Sequence, residues 1–465
     1  MSMEKRRRLS RIAVVLALLA LAAMCLHLWR NRSEEMPVAQ AESIGQDYER
    51  DVLRGEVSLA QAGEGRITGT LELRATNRTG QGQTTAVLRT LAGTSARVSL
   101  SDVTVDGEAA AWRADEDGLS AEIDVSWPEG RTLRIGFQFE LALEHGAYPV
   151  GTDGGITLAA CALPTLATWN GEAWDTDVDA LMETGYAEAF DAEVRFLLGE
   201  GQRLVFGGAL VETGDGVRVA RMTGARDVSF AVTSSGVTRV REIGGVQVSA
   251  MAASGGQAEQ LLDAAKTALE SLEGAGFAYP FHTLAVVQAD AGFEDGVIGS
   301  GFVALGRQSD RELLVQRLTR LIARQTFGIL VENDPFNAPW LSVSLASACE
   351  LAAYRQRKGE AAYEERFAQT VEIASRLTRP HGVTVGASAD RFGGDAEMTQ
   401  VLRDQGGAML MGIAQAVGQE AFAQALMQYA RENAGRIAAQ QDLEHALLEV
   451  TGSAWDGYLD DELAF

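Results

Sequence analysis

The feature that most constrains this chain is a change of hydrophobic period near residue 250. From about residue 49 to 245 apolar side chains recur every second residue. The clearest run is Leu133, Ile135, Phe137, Phe139, Leu141 and Leu143, each separated by one residue. Ile67, Leu71, Leu73 and Ala75, then Val98 and Leu100, then Ile123, Val125 and Trp127, repeat the pattern. A period of two puts alternate side chains on one face of a strand. Asp106-Gly107, Asp117-Gly118 and Glu129-Gly130 supply turns at the spacing of an antiparallel sandwich, and Asp215-Gly216 and Ser235-Gly236 punctuate a second strand-rich stretch from Val194 to Val248. Beyond 250 the period becomes helical. Leu261, Leu262, Ala265, Leu269 and Leu272 form a stripe that ends at Gly274 and Gly276. Short strands at Leu284–Val287 and Phe302–Leu305 precede helices over about 310–330, 342–357, 361–378, 405–417, 419–433 and 440–451. The expected fold is α+β and multidomain: an antiparallel β-sandwich over 49–248, then a mostly helical domain with a small sheet over 249–465.

Charge divides the chain differently. Of the net −24, residues 1–32 carry +6, with Lys5, Arg6, Arg7, Arg8, Arg11, Arg30 and Arg32 against Glu4, which leaves −30 for the rest. Ile12 to Trp29 is uncharged and long enough to cross a bilayer. The basic residues before it place 1–11 in the cytoplasm and everything past 30 outside. No small-residue cleavage site follows, so 12–29 reads as a transmembrane signal anchor in the cell membrane and 30–48 as an acidic linker. The acidic ectodomain excludes nucleic acid as a partner. A peptide or an envelope protein is the partner this placement favours.

The chain has five His and three Cys, none in metal-motif spacing, so a local His or Cys metal site is excluded. Cys25 lies in the apolar run, which leaves Cys161 and Cys349 as the only possible disulfide, and nothing demands it. No nucleophile elbow and no phosphate loop is present, and Ser388 reads as a loop residue. Glu294 and Asp295 read as a solvated turn, and His282 as a packed structural histidine. Asn77-Arg78-Thr79 matches a glycosylation acceptor.

Several strings, in order, resemble the membrane alanyl aminopeptidases, a family of gluzincin zinc peptidases. They are Ala225-Arg226-Asp227-Val228-Ser229-Phe230, Gly276-Phe277-Ala278-Tyr279-Pro280-Phe281, Arg324-Gln325-Thr326-Phe327-Gly328, and Pro339-Trp340-Leu341 with Leu345-Ala346. The resemblance spans residues 49 to 465 and implies a sandwich followed by a thermolysin-like domain. It also implies zinc held by HExxH and a glutamate 18 residues on, where two His on one helical face bind the metal and the intervening Glu is general base.

On that frame the two His positions hold Arg320 and Arg324, the general-base position Leu321, and the third-ligand position Val343. Ile298 stands where the family grips the substrate's amino group with Glu, and Asp404 where a tyrosine stabilises the oxyanion. The expected reading is a degenerate member with no catalytic residues, no metal ligand and no zinc cofactor: a membrane-anchored ectodomain that binds a peptide, protein or anion. Arg320 and Arg324 are the ligand-binding candidates, either as an anion pocket or as a face neutralised by Asp404 or Glu350. An active metallopeptidase with displaced ligands, a hydrolase using another mechanism, and a structural component of an envelope complex are the alternatives.

Overall fold

In the computed structural model the described residues are 50–59, 65–116, 118–146, 149–177, 185–214, 216–289, 296–376 and 382–464. The expected membrane span at 12–29, the linker, and Glu294 and Asp295 lie outside them. Among the described residues no helix is long and apolar enough to cross a membrane.

The first part of the chain is all β. Its main sheet has eight strands in the spatial order Ala209–Gly214, Val217–Ala225, Phe190–Leu197, Asp51–Leu59, Arg66–Thr76, Thr132–Leu143, Ala96–Val105 and Glu108–Ala109. Every neighbouring pair is antiparallel except Asp51–Leu59 with Phe190–Leu197. Two four-stranded sheets complete this part. The alternating residues of the sequence point where a period of two requires: Leu133, Ile135, Phe137, Phe139 and Leu141 are all buried, and they share one core with Ile67, Leu71, Ile123 and Trp127. Asn77 builds a turn, with Nδ2 donating to the carbonyls of Gln81 (2.8 Å) and Trp127 (2.7 Å). It is 1% exposed and is no glycosylation acceptor in the folded chain.

The second part has a five-stranded mixed sheet in the order Val237–Ile243, Val246–Ala252, Thr283–Gln288, Phe302–Leu305, Val297–Gly299. Helices α1 (Gly255–Gly274), α2 (Arg311–Gln325), α3 (Trp340–Lys358), α4 (Glu360–Arg376), α5 (Gly406–Val417), α6 (Gln419–Glu432), α7 (Gln440–Thr451) and α8 (Asp456–Ala464) follow. Ser254 caps α1 by accepting from the Gln257 N–H, and the stripe Leu261, Leu262, Ala265, Leu269 and Leu272 is buried as its period requires.

The structure moves one boundary. The hairpin Val237–Ala252, placed by period with the sandwich up to 248, pairs with Thr283–Gln288 and packs under α1, so the helical part starts near 237. Alternation identifies a strand but not the sheet it joins. His282 is exposed rather than packed, and no disulfide joins the buried Cys161 and Cys349.

Candidate functional site

Helix α2 carries Arg320, Leu321 and Arg324, three of the residues that the family resemblance sets at ligand and base positions. Asp310 starts it, its Oδ1 accepting from the N–H groups of Glu312 (2.7 Å) and Leu313 (3.1 Å). Leu314, Val315, Leu318, Leu321 and Ile322 form the buried face. Arg320 points toward α3, where its Nη1 lies 3.9 Å from Glu350 Oε2. Glu350 is 3% exposed and also accepts both terminal nitrogens of Arg366 on α4, at 2.8 and 2.6 Å. The Arg366 guanidinium lies over the Tyr354 ring at 4.4 Å. One buried carboxylate thus sits between two guanidiniums and ties three helices together. Of the two acids available to Arg320, Glu350 is the partner, while Asp404 is paired with its neighbour Arg403 at 2.8 and 3.0 Å.

The remaining positions surround this pair of helices. Arg324, one turn beyond Arg320, is buried. Leu321 faces the edge strand Val297–Gly299, for a β-carbon placed on Gly296 would come within 2.9 Å of Leu321 Cδ1. Ile298 is buried in that strand, and its carbonyl accepts from Cys161 Sγ at 3.7 Å. Val343, near the start of α3, is partly buried against the helical core. The next residue, Ser344, donates to the Leu402 carbonyl at 2.8 Å, within the π-helical turn Gln400–Gln405 that carries Asp404. Gly406 permits this approach, since a β-carbon there would meet Ser344 Oγ at 2.1 Å. The structure therefore packs α2 against α3 and the edge strand, and α3 against the Asp404 turn. All six residues come from elements that pack together.

Residues that the family strings retain do different work. Arg226 is fully buried and donates to the carbonyls of Ala187 (2.8 Å), Ile329 (3.1 Å) and Arg436 (2.8 Å), joining the β part to the loop after α2 and to the end of α6. Asp227 accepts from the backbone N–H (2.7 Å) and hydroxyl (2.9 Å) of Ser300 and from the Ser229 hydroxyl. Burial pushes its pKa up to about 6 against the pull of those hydrogen bonds. Gly299 admits this cluster: a β-carbon there would lie 2.0 Å from Ser229 Oγ. Gln325 is fully buried, donating to the carbonyls of Gly299 and Phe302 (both 3.1 Å) and accepting from the Gly301 N–H (2.9 Å). It fixes the end of α2 to the strand turn.

No protein-family profile and no curated protein matches the sequence. Solved structures do match. An M1 zinc metallopeptidase from Deinococcus radiodurans aligns over 90% of this chain and 95% of its own, at 16% identity and a TM-score of 0.64. A mutant of the Deinococcus radiodurans enzyme bound to a Tyr-Ser-Ala substrate gives 17%, the same coverage and 0.63. A two-domain M1 zinc metallopeptidase mutant bound to L-arginine gives 17%, coverage of 90% and 94%, and 0.66. The chain has the two-domain M1 zinc metallopeptidase fold.

The donor set on this M1 frame does not fit zinc. Zinc needs lone pairs from imidazole, thiolate or carboxylate. The guanidiniums of Arg320 and Arg324 offer only N–H donors and positive charge, and Leu321 and Val343 offer nothing. Glu350 is a carboxylate, but two arginines hold it. Elsewhere among the described residues, Glu432, His445 and Glu449 bring ligand atoms within 4.8 Å of one another, on exposed faces of α6 and α7. The i, i+4 spacing of His445 and Glu449 was the sequence signal for that group, which lies outside the frame and is exposed.

Proposed function

We infer that this chain is a membrane-anchored, extracytoplasmic relative of the M1 aminopeptidases that binds a peptide or protein without hydrolysing it. The observation that carries the reading is the substitution of Arg320, Leu321, Arg324 and Val343 at ligand and base positions while the spacing between them is kept. Without a zinc ligand set there is no Lewis acid and no water of lowered pKa to attack a peptide bond. The fold supports peptide as the ligand class, since one structural neighbour holds a tripeptide substrate and another a free amino acid. A simple anion at Arg320 is the weaker choice, because any such anion must displace Glu350. The membrane anchor rests on the uncharged run 12–29 and its basic flank.

The test is to incubate the purified chain with a fluorescently labelled peptide library and follow both retention and cleavage. Retained peptides recovered intact agree with the reading. Cleavage that a chelator stops establishes an active metallopeptidase instead.

A further inference from the structure

Where the β part meets the end of α6 there is a crevice of about 730 Å³. Three of the chain's seven tryptophans line it. Trp127 stacks on Trp174 at 6.0 Å, and Trp174 meets Trp169 edge-on at 5.4 Å. Two of the three indole N–H groups are satisfied, Trp127 by the Arg131 carbonyl (2.7 Å) and Trp174 by the Thr85 carbonyl (2.9 Å). Trp169 Nε1 is shielded from water and has no acceptor. A shielded donor without a partner costs about 1–3 kcal/mol, so one in a cavity wall is suited to an acceptor supplied by a guest.

The α6 side of the crevice presents Arg431 and Arg436. Neither guanidinium has an ion-pair or hydrogen-bond partner among the described residues. The nearby acids do not cancel them. Asp51 is taken by Arg78 (2.8 Å) and the Thr76 N–H (3.0 Å). Glu432 accepts from Gln428 (2.8 Å) and groups with His445 and Glu449. Only Glu188, exposed, remains. A larger groove of about 1490 Å³ at the far end of α3 shares Arg431, but there Glu360, Glu364 and Glu420 outnumber Arg355 and Arg431, and Arg355 is engaged by Glu360 and stacked on Tyr363.

We propose that this crevice captures the free carboxylate end of a peptide. Arg431 and Arg436 take the carboxylate, Trp169 Nε1 donates to a peptide carbonyl, and Trp174 and Leu166 receive an apolar terminal side chain. The inference rests on the peptide-binding reading and locates it away from the degenerate zinc frame.

Titration calorimetry of the purified chain with N-acetyl-Leu-Phe, as free acid and as terminal amide, tests it. The acid binds once per chain, and the amide binds about tenfold more weakly or worse, as expected when charged hydrogen bonds are lost. The double change Arg431→Gln with Arg436→Gln brings the acid down to the affinity of the amide. Trp169→Phe, which keeps an aromatic ring and removes the donor, weakens both forms several-fold. Arg241→Gln, at a surface arginine paired with Glu259 and Asp263 away from the crevice, leaves all these affinities unchanged. Equal affinity for acid and amide, or an unaffected double variant, overturns the proposal. So does inorganic phosphate displacing the acid at equal concentration, which makes the crevice a plain anion trap. Chelator-sensitive hydrolysis of peptides defeats the non-catalytic reading without touching this titration. Intact peptide retained by the chain while the acid fails to bind here defeats this inference alone.

Discussion

The joint between the β and helical parts and the α2–α3 region set against the zinc frame lie next to each other and are joined through Gln325, yet their polar side chains do different work. At the joint the family strings keep their residues, and each kept residue satisfies a buried polar group: Arg226 three carbonyls, Asp227 the Ser300 turn, Gln325 three backbone groups. At the positions set against the frame, Arg320, Leu321, Arg324 and Val343 offer no zinc ligand, and the charge of Arg320 is met by Glu350. The polar residues at the joint are those whose loss would leave a buried polar group unsatisfied. Fold and chemistry are separable on this scaffold because different side chains carry them.

Perturbing each region sharpens the contrast. Arg226→Lys keeps the charge but not the fork, and strips at least two of the three buried carbonyls of a donor. A loss of the order of 5 kcal/mol is expected in urea unfolding, enough to leave much of the chain unfolded at 37 °C. Glu350→Ala leaves Arg320 and Arg366 without their shared carboxylate inside the frame, at about 4 kcal/mol. A loss below 1 kcal/mol there shows that the array is incidental and that the frame has not been rebuilt around the arginines.

Asp227 gives the joint a pH signature. Its folded pKa of about 6 lies above the ordinary aspartate value of 3.8. Its contribution is therefore fully present below pH 3.8 and lost as pH rises through 6, by up to about 3 kcal/mol. The difference in stability between the native chain and Asp227→Asn is expected to change across pH 4 to 7 by that order. A flat difference contradicts the assignment. Glu312 behaves with the opposite sign. Hydrogen bonding to Arg357, with help from Lys358, holds its pKa down at about 2, so its contribution is present above 4.5 and lost as pH falls toward 2. Because that carboxylate is more than a third exposed, Glu312→Gln is expected to cost less than about 1 kcal/mol at pH 7, and less still in high salt.

Much of this architecture was legible in the sequence because it is written in period. The alternation at 133–143 became the strand Thr132–Leu143, and the six helices expected after 310 fall within a few residues of α2 to α7. Helix α8 and the edge strand Val297–Gly299 were too short to register as periodic runs. The positions set against the zinc frame could be named from the sequence because HExxH is a local spacing. The Glu350 array was legible only in part: Glu350 could be named as an acid near Arg320, but the role of Arg366 depends on how α4 lies against α3. The tryptophan crevice left no signal, since residues 127, 169, 174, 431 and 436 share neither a period nor a motif.

The most direct test of the central claim is the zinc content of the purified chain, measured by mass spectrometry after loading with zinc and dialysis into metal-free buffer. The account predicts no stoichiometric zinc in the His445→Ala variant, in which the exposed Glu432, His445 and Glu449 group is disabled. One tightly held zinc per chain in that variant, removed only by a chelator, contradicts it.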